Sequence, residues 1–297
     1  MTRRNFVLIM FCLTLMYSAP SFSQDQAKLL IRVDDIGMCH AVNMAMQQLA
    51  ETGMPVSASV MFSCPWYLEA VEILKAHPEI AVGIHLTLNS EWKHYKWGPV
   101  LGKAAVPSLV DSNGYFFATH AEFNAQERKA DEVEKELRAQ IERALRSGVE
   151  IDYLDYHMGT AVSRPEFTAI VEKLAKENNL GLAHYFGEIF QAMFAMPIES
   201  KKDSLCAAIR NLQPGKTHVM VMHIGLETPE MEALIDLDSP IMRTSEGVSL
   251  VSKHRQAELN ALCSQEYREV IGSSKVALIT YRDLITQAGL KAMKRPE

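Results

Sequence analysis

The residues best suited to chemistry are two adjacent carboxylates, Asp34 and Asp35, which stand between an apolar segment and Gly37. The preceding residues 29–33 are rich in branched side chains, a composition typical of a buried parallel strand. Functional sites of α/β folds are built where such strands end. The two acids could divide the work, one holding a cation and the other moving a proton. The simpler alternative is that one of them only caps the following helix.

Three histidines occupy similar positions later in the chain. His85 lies in the outgoing half of an apolar segment, and His157 and His223 each end one. Taken singly, His85 and His223 could be packed core histidines, and His157 could belong to an ordinary strand-to-helix turn. Asp155, two residues before His157, is a candidate to orient a histidine from outside the ligand shell.

Taken together, the carboxylate pair and the three histidines lie on four separate strand ends. In a closed parallel barrel these ends converge on one face. One aspartate and two histidines would leave a divalent cation with open positions for water and substrate, which is a hydrolytic arrangement.

Strand-like and helix-like segments alternate along the chain without a linker, which predicts one α/β domain over residues 24–297. The simplest closure of such a parallel sheet is a TIM-like β/α barrel. Two irregular stretches, Asn89–Thr119 and Ile224–Leu250, interrupt the alternation. Later strands are predicted at Pro55–Phe62, Ile80–Leu88, Ile151–Tyr156, Leu180–Tyr185, Thr217–Met222 and Val276–Thr280. Helices are predicted at His40–Thr52, Pro65–Ala76, Glu122–Ser147, Pro165–Asn178, Lys201–Leu212, Lys253–Ile271 and Arg282–Ala288.

The first 23 residues have the order of a secretory signal. Arg3 and Arg4 precede an apolar core, Phe6–Met16, and a tail of small residues follows. The apolar core is too short for an ordinary membrane span, although an uncleaved anchor is the alternative. We therefore expect a mature chain that starts near Gln24, is not inserted in the membrane, and is periplasmic or secreted.

Composition narrows the remaining choices. Of the 297 residues, 48% are hydrophobic and 22% are charged, and this balance suits a large globular core. A pI near 6.0 argues against nucleic acid as a partner. The sequence leaves open whether the protein is a monomer or a homodimer. Four cysteines outside the signal lack CxxC spacing, and free thiols fit that pattern as well as disulfides do. They are Cys39, Cys64, Cys206 and Cys263.

Several motifs resemble one known family. Val33-Asp-Asp-Ile-Gly-Met38 is similar to the opening Ala-Asp-Asp-Phe-Gly-Leu of the YdjC-like carbohydrate deacetylases, the ChbG/HpnK group. Further similar segments follow in the family's order over nearly the whole mature chain. They are Val56–Met61, His77–Leu88, Leu154–His157, Met222–Gly225, Arg255–Leu262 and Leu278–Leu284.

The resemblance implies an incomplete or distorted TIM-like barrel that removes N-acetyl groups from amino sugars or oligosaccharides. Carried over by position, it implies that Asp35, His85 and His157 bind one divalent metal ion. Zinc is the first expectation, with magnesium or another first-row ion as alternatives. It further implies that Asp34 is the general base and that His223 is a second acid/base residue.

The chain departs from the family pattern in two places. The family often continues its Ser-His motif as His-x-His-x-His, whereas Gly159 and Ala161 stand at those positions here. Ile224 replaces the proline after the late histidine. These departures bear on substrate contacts and on any second metal site.

Two other classes of function remain as alternatives. One is a different metal-dependent hydrolase, an amidase or a phosphoesterase, although no arginines or lysines cluster near the motifs to hold a phosphate. The other is a non-catalytic carbohydrate-binding barrel. The aromatic residues of Asn89–Thr119 could stack on sugar faces or simply pack against the barrel.

Overall fold

The computed structural model describes residues 25–296, so the secretory signal predicted for residues 1–23 lies outside the described residues. The strands are β1 (Ala27–Ile36), β2 (Ser57–Val60), β3 (Ala81–Leu86), β4 (Tyr153–Tyr156), β5 (Gly181–Leu182), β6 (Ile189–Ala192), β7 (Thr217–Met222) and β8 (Val276–Ile279). The α-helices are α1 (His40–Ala50), α2 (Tyr67–Ala76), α3 (His120–Asn124), α4 (Ala130–Arg146), α5 (Pro165–Glu177), α6 (Lys201–Arg210), α7 (Pro229–Glu232), α8 (Val251–Cys263), α9 (Gln265–Ser273) and α10 (Tyr281–Ala288).

The described strands form one parallel sheet in the order β5-β4-β3-β2-β1-β7-β6, and β8 pairs with β1. β5 and β6 end this order and do not pair with each other in the described chain, so the sheet is an open half-barrel. The α/β class and the parallel sheet are confirmed. The simplest closure, a complete barrel, is not formed by the described strands, and the architecture is the incomplete barrel that the resemblance implies.

β1 lies in the middle of the sheet and organises it. β7 pairs with one edge of β1 over Lys28–Val33. The other edge is shared, because β8 pairs with the first half of β1 and β2 with the second half. β1 is therefore buried on both edges, which suits its branched apolar composition.

Side chains alternate between the two faces of β1. Leu29, Ile31 and Val33 pack in the main core with the helices. Leu30 belongs to a smaller cluster inside the half-barrel, and by the same alternation Arg32 and Asp34 also face inward. The interior is thus apolar at the start of the strands and polar at their ends, which is where the carboxylates were expected.

The interior is closely packed below the polar end. The Tyr153 ring lies against Gly83, and a Cβ at that glycine would be only 2.3 Å from the ring. Tyr153 also contacts Tyr281, with ring centroids 4.3 Å apart. A hydroxyl–hydroxyl bond of 2.8 Å links Tyr153 to Ser59. This layer separates the apolar base of the half-barrel from the polar groups above it.

One long helix predicted at Glu122–Ser147 is instead two helices, α3 and α4. The break follows from tertiary contacts, since the Arg128 guanidinium donates to the carbonyl oxygens of Glu122 at 2.8 Å and Phe123 at 2.7 Å. These bonds satisfy the last carbonyls of α3 and replace continuation of the helix.

The helix predicted at Lys253–Ile271 is also two helices, α8 and α9. Ser264 separates them because its hydroxyl accepts a hydrogen bond from the backbone N–H of Tyr267 at 3.1 Å, which begins α9. The strand predicted at Leu180–Tyr185 is reduced to β5, and β6 was not predicted.

Two further predictions concern membrane insertion and the state of the cysteines. Within residues 25–296, no helix combines the length and the apolar character needed to cross a membrane. The four cysteines of this range are free thiols, which is one of the two arrangements that the spacing allowed.

Candidate active site

A cavity of about 740 Å³ opens at the carboxyl ends of the strands. The five residues predicted to act in the site all line it: Asp34, Asp35, His85, His157 and His223. Asp34 and Asp35 lie on β1 and His85 lies on β3, whereas His157 and His223 directly follow β4 and β7. Side chains that are far apart in the sequence therefore meet on one face of the half-barrel.

Asp34 and Asp35 both reach the cavity because β1 is irregular at its end. In a regular strand neighbouring side chains point to opposite faces. Here the register between β1 and β2 shifts between Val33 and Ile36, and Asp35 has a left-handed backbone with φ of 66°. Aspartate tolerates this conformation better than most residues, at a cost of order 1 kcal/mol. The shift turns the second carboxylate into the cavity that the first also lines.

Asp35, His85 and His157 form a compact triangle of ligand atoms. Asp35 Oδ1 lies 3.1 Å from His157 Nδ1 and 3.4 Å from His85 Nε2. The two nitrogens are 3.3 Å apart. Ligands around a tetrahedral ion with bonds of roughly 2.1 Å are separated by about 3.4 Å, so the triangle has the size that a small divalent ion needs.

Hydrogen bonding also supports a cation site at Asp35, His85 and His157. Asp35 Oδ1 is buried and accepts no hydrogen bond of good geometry from a described residue. His85 Nδ1 donates to Asp155 at 2.9 Å, and His157 Nε2 donates to Glu91 at 2.9 Å. These outer bonds fix both rings and leave the inward nitrogens free to act as ligands. The three residues therefore fit a divalent cation.

The surrounding carboxylates also control protonation when the cation is absent. Burial alone would lower the pKa of His85, but Asp155 and Asp34 raise it to about 9. Burial likewise opposes a charge on His157, whose pKa is raised to about 10 by Glu91 and Asp35. A dication would take the place of these protons.

A second cluster, Asp34, His85 and Asp155, also has the spacing of metal ligands. The residues of this cluster already form hydrogen bonds with each other and with an arginine. His85 Nδ1 is bonded to Asp155, and both oxygens of Asp34 accept from Arg32 at 2.8 Å. The Asp35, His85 and His157 triangle is therefore the better cation site.

Asp35 has a cationic neighbour besides the histidines. Nη2 of Arg255 donates to its second oxygen at 2.6 Å. Although burial would raise the pKa of Asp35, Arg255 and His157 hold it well below its usual range. The Arg255 guanidinium also lies over the Trp92 ring at 5.7 Å. Asp35 is thus kept ionised with one oxygen directed at the two histidines.

Asp34 is held by the buried guanidinium of Arg32 through two parallel hydrogen bonds. The same guanidinium lies 3.2 Å from Asp155 and 3.2 Å from the Nε2 of His184. Burial opposes its charge, but Asp34 and Asp155 raise the pKa of Arg32. Arg32 therefore fixes the position of Asp34.

His223 lies in the cavity wall directly after β7, and Val33 and Met222 are partners in the β1–β7 register. Glu258 accepts a hydrogen bond from the His223 backbone N–H at 2.6 Å, and the imidazole packs edge-on against Phe194 at 5.7 Å. Burial lowers the pKa of His223, against the opposing influence of Asp35. This direction favours a neutral imidazole at pH 7, which accepts a proton before it donates one.

Sequence reasoning missed several residues of the site: Arg32, Glu91, His184, Arg255 and Glu258. The sequence showed no cluster of arginines or lysines that could hold a phosphate; the fold brings two guanidinium groups into the cavity lining, and both are bonded to carboxylates. An arginine within the buried strand before Asp34 was a usable signal, because a buried arginine needs a carboxylate partner. Glu91 gave no such signal because it lies in an irregular segment.

The aromatic residues of Asn89–Thr119 mainly pack. Trp92, Trp97 and Phe116 are each at most 3% exposed. Trp92 also lines the cavity, beneath Arg255. The packing alternative therefore describes these three rings, and the cavity gains an aromatic wall from only one of them.

The fold and the site define a class of protein: a parallel β/α half-barrel with a candidate metal centre at the strand ends. The family model described as YdjC-like protein matches residues 28–273. The chain therefore belongs to the YdjC-like family.

Relatives span most of the chain. A protein of Brevibacillus brevis named carbohydrate deacetylase is 27% identical over 273 residues, covering 86% of this chain and 99% of the relative. Carbohydrate deacetylase 1 of Listeria innocua is 25% identical and covers the same share of this chain and 100% of the relative. A crystal structure of an Enterococcus faecalis protein, provisionally described as acting in cellobiose-phosphate cleavage, superposes with a TM-score of 0.68. It is 24% identical and covers 87% of this chain and 99% of that chain, which supports the fold.

The two positions that depart from the family's histidine repeat supply no further ligand. Gly159 lines the cavity without a side chain, and Ala161 is fully buried in the core. Of positions 157, 159 and 161, only His157 can act as a metal ligand.

Proposed function

We propose that this protein is a metal-dependent carbohydrate deacetylase that hydrolyses the acetamide of an N-acetylated sugar or oligosaccharide. The observation that carries the proposal is the juxtaposition of the Asp35, His85 and His157 triangle with an arginine-held carboxylate, Asp34, in one cavity. The names of the relatives from Brevibacillus brevis and Listeria innocua support the same activity.

Asp35, His85 and His157 would hold the ion. Two imidazoles and a carboxylate favour zinc, and magnesium or another first-row ion is the alternative. When bound, such an ion supplies Lewis acidity toward a carbonyl oxygen and makes a water molecule more acidic. The outer bonds to Asp155 and Glu91 keep both imidazoles oriented for this role.

Asp34 is the proposed general base. The bidentate bond from Arg32 orients its carboxylate, and each oxygen retains a lone pair for a water molecule. Removing a proton from that water as it attacks the acetamide carbon is the usual contribution of a base in such a position. Arg32 also compensates the charge of Asp34 beside the second carboxylate.

His223 is the proposed second acid/base residue. The nitrogen of an amide leaves readily only after it gains a proton. Asp34 can return the proton that it took, and His223, which directly follows the neighbouring strand β7, provides a second route. Because burial lowers its pKa and favours the neutral imidazole, His223 would take up a proton from solvent before it passes one to the amine.

Acetate release is the decisive experiment. The purified protein is loaded with Zn²⁺ or treated with a chelator and is then given N-acetylated mono- and oligosaccharides. We expect acetate from the loaded protein, none from the chelated one, and a loss in Asp34→Asn. His94→Ala serves as a matched control because this histidine is exposed and lies outside the cavity.

The competing functions give different results. Hydrolysis of phosphate esters without acetate release would indicate a phosphoesterase, although Arg32 and Arg255 are both engaged by carboxylates. Hydrolysis of other amides alone would indicate a different amidase. Sugar binding without any hydrolysis would indicate a carbohydrate-binding protein.

We further propose export of the protein, with cleavage of residues 1–23 as a secretory signal. The support is the order of basic, apolar and small residues in the sequence. N-terminal sequencing of protein recovered outside the cytoplasm should begin near Gln24. Recovery of exported protein that still begins at Met1 would overturn the cleavage.

A further inference from the structure

Phe190 stands apart from the other large apolar side chains of the described chain. It is 56% exposed, and it lies in the lining of the cavity. The remaining large apolar residues that are exposed to this degree lie outside the cavity lining. An exposed aromatic ring in the lining of a cavity is suited to contact with a ligand.

The ring is held in place by its surroundings. β6 is the last strand in the sheet order, and Phe190 pairs there with Val219 of β7. Its phenyl group makes an edge-on contact with the His184 imidazole, with ring centroids 5.5 Å apart. The carboxylate of Glu188 accepts hydrogen bonds from the backbone N–H of His184 at 3.0 Å and of Phe186 at 2.7 Å. The turn that carries His184 beside Phe190 is therefore fixed.

A chain of contacts connects this ring with the proposed base. His184 Nε2 lies 3.2 Å from Nη1 of Arg32, and Arg32 holds both oxygens of Asp34. Two side chains, His184 and Arg32, thus separate Phe190 from Asp34. A group placed over Phe190 would lie beside the acetamide being hydrolysed rather than on it.

We propose that Phe190 is a stacking platform for a second pyranose ring, the one adjacent to the sugar that loses its acetyl group. This inference rests on the proposed deacetylase function. One face of a pyranose carries mainly C–H groups, which pack on a flat aromatic ring, while the hydroxyls at its rim remain available to polar groups. Asp238 and Ser239, in the irregular stretch Ile224–Leu250, line the same cavity and offer such groups. Phe190 thereby makes the enzyme prefer oligosaccharides to monosaccharides.

The test compares N-acetylglucosamine with its β-1,4-linked dimer. We expect Phe190→Ala to lower kcat/KM for the dimer about tenfold, mainly through KM; tenfold corresponds to about 1.4 kcal/mol, which is within the range of a specific aromatic contact. The value for the monosaccharide should stay within about twofold. Phe190→Leu keeps apolar bulk without a flat face and should lose the same preference, whereas Phe190→Trp should retain it.

Two controls separate this role from a structural one. Tyr115→Ala removes an aromatic residue that lies outside the cavity and is 42% exposed. This variant should leave kcat/KM unchanged for both the monosaccharide and the dimer. Binding of the dimer is also measured calorimetrically on an Asp34→Asn background, where Phe190→Leu should weaken it to the same extent as it raises KM.

Three results would contradict the inference. Equal losses on monosaccharide and dimer in folded Phe190→Leu would indicate a structural role. Unchanged values for both substrates would exclude the platform while leaving the deacetylase function intact. Absence of acetate release by the wild-type protein from every sugar would overturn the deacetylase function and this inference with it.

Discussion

Asp155 accepts a hydrogen bond from Nδ1 of His85 at 2.9 Å, and the two residues are partners in the register between β3 and β4. The bond points the other ring nitrogen at Asp35. Glu91 does the same for His157 from an irregular segment, again at 2.9 Å. Each proposed histidine ligand is thus oriented by its own carboxylate.

The first prediction follows from this pairing. Asp155→Asn and Glu91→Gln should each weaken binding of Zn²⁺ by about 10–100-fold, because the outer carboxylate orients its imidazole and makes it a better ligand. Competition with a chromophoric chelator measures the affinity. Asp35→Ala and His85→Ala are the reference variants and should lose the ion altogether.

Asp152→Asn provides the matched control for Asp155. Asp152 precedes β4 by one residue, but its carboxylate accepts from Arg282 at 2.8 Å and from the Val82 backbone at 2.8 Å, outside the cavity. Its loss should reduce stability without changing the affinity for Zn²⁺. Undiminished metal in both Asp35→Ala and His85→Ala would rule out the proposed ligand set.

The second prediction concerns the different roles of the two aspartates, Asp34 as general base and Asp35 as metal ligand. Asp34→Asn should retain bound metal and lose activity by ~10²–10⁴-fold, the usual contribution of a general base. The amide is nearly isosteric and can still accept a hydrogen bond from Arg32, but it cannot take up a proton. Elemental analysis and acetate release are measured on the same sample. If the variant loses its metal, then Asp34 is a ligand and the assignment is wrong.

Some residues of the candidate site could be predicted from the sequence, and others could not. His157 and His223 were found because each directly follows an apolar strand, and strand ends of a parallel sheet meet on one side. Alternation also predicts that Arg32 and Asp34 share a face. The sequence alone could not show that the Asp35 side chain enters the same cavity as that of Asp34. Its orientation depends on a local register shift and on the left-handed backbone of Asp35.

Other features depended on contacts that only the folded chain supplies. Glu91 reaches His157 across 66 residues of sequence from a segment with no regular structure. The end of α3 is set by the Arg128 side chain rather than by a glycine or a proline. Helix periodicity continues through such a point, so the prediction of one long helix was reasonable locally and wrong in the fold.

The third prediction concerns stability against pH at a residue outside the site. His254 is 6% exposed on α8, and its Nδ1 has no hydrogen-bond partner in residues 25–296. Burial, with a smaller contribution from Lys201, lowers the pKa of His254 to about 4. The unfolded chain binds this proton near pH 6.5. The unfolded state therefore takes up the proton first, and the free energy of unfolding falls as the pH drops from about 6.5 to about 4.

His254→Gln should make this fall shallower. Urea unfolding of the chelated protein at several pH values from 7 to 4 gives the slope without a contribution from metal loss. The exposed His94→Gln is the control and should keep the wild-type slope. An identical slope in wild type and His254→Gln would show that His254 titrates normally in the folded state.

The last prediction concerns His223, whose backbone N–H is fixed by Glu258. Glu258 is itself bonded to the fully buried Lys201 at 2.7 Å, and Lys201 also donates to the carbonyl oxygen of Met193 at 2.8 Å. This network positions both His223 and the segment carrying Phe194, whose ring packs on the imidazole. His223 is therefore a defined part of the cavity wall, although its own Nδ1 lacks a partner in the described chain.

We expect His223→Ala to keep its metal and to lower turnover of acetamide substrates by about 10²-fold, because the departing amine then depends on Asp34 alone for its proton. An activated acetate ester has a leaving group that needs no proton, so its turnover should fall by only roughly a few fold. If His223 is merely a packed histidine, the substitution should reduce stability and affect both substrates alike. Amide and ester turnover, measured on folded His223→Ala beside His94→Ala, therefore distinguish the two roles, and equal losses on the two substrates would exclude proton donation by His223.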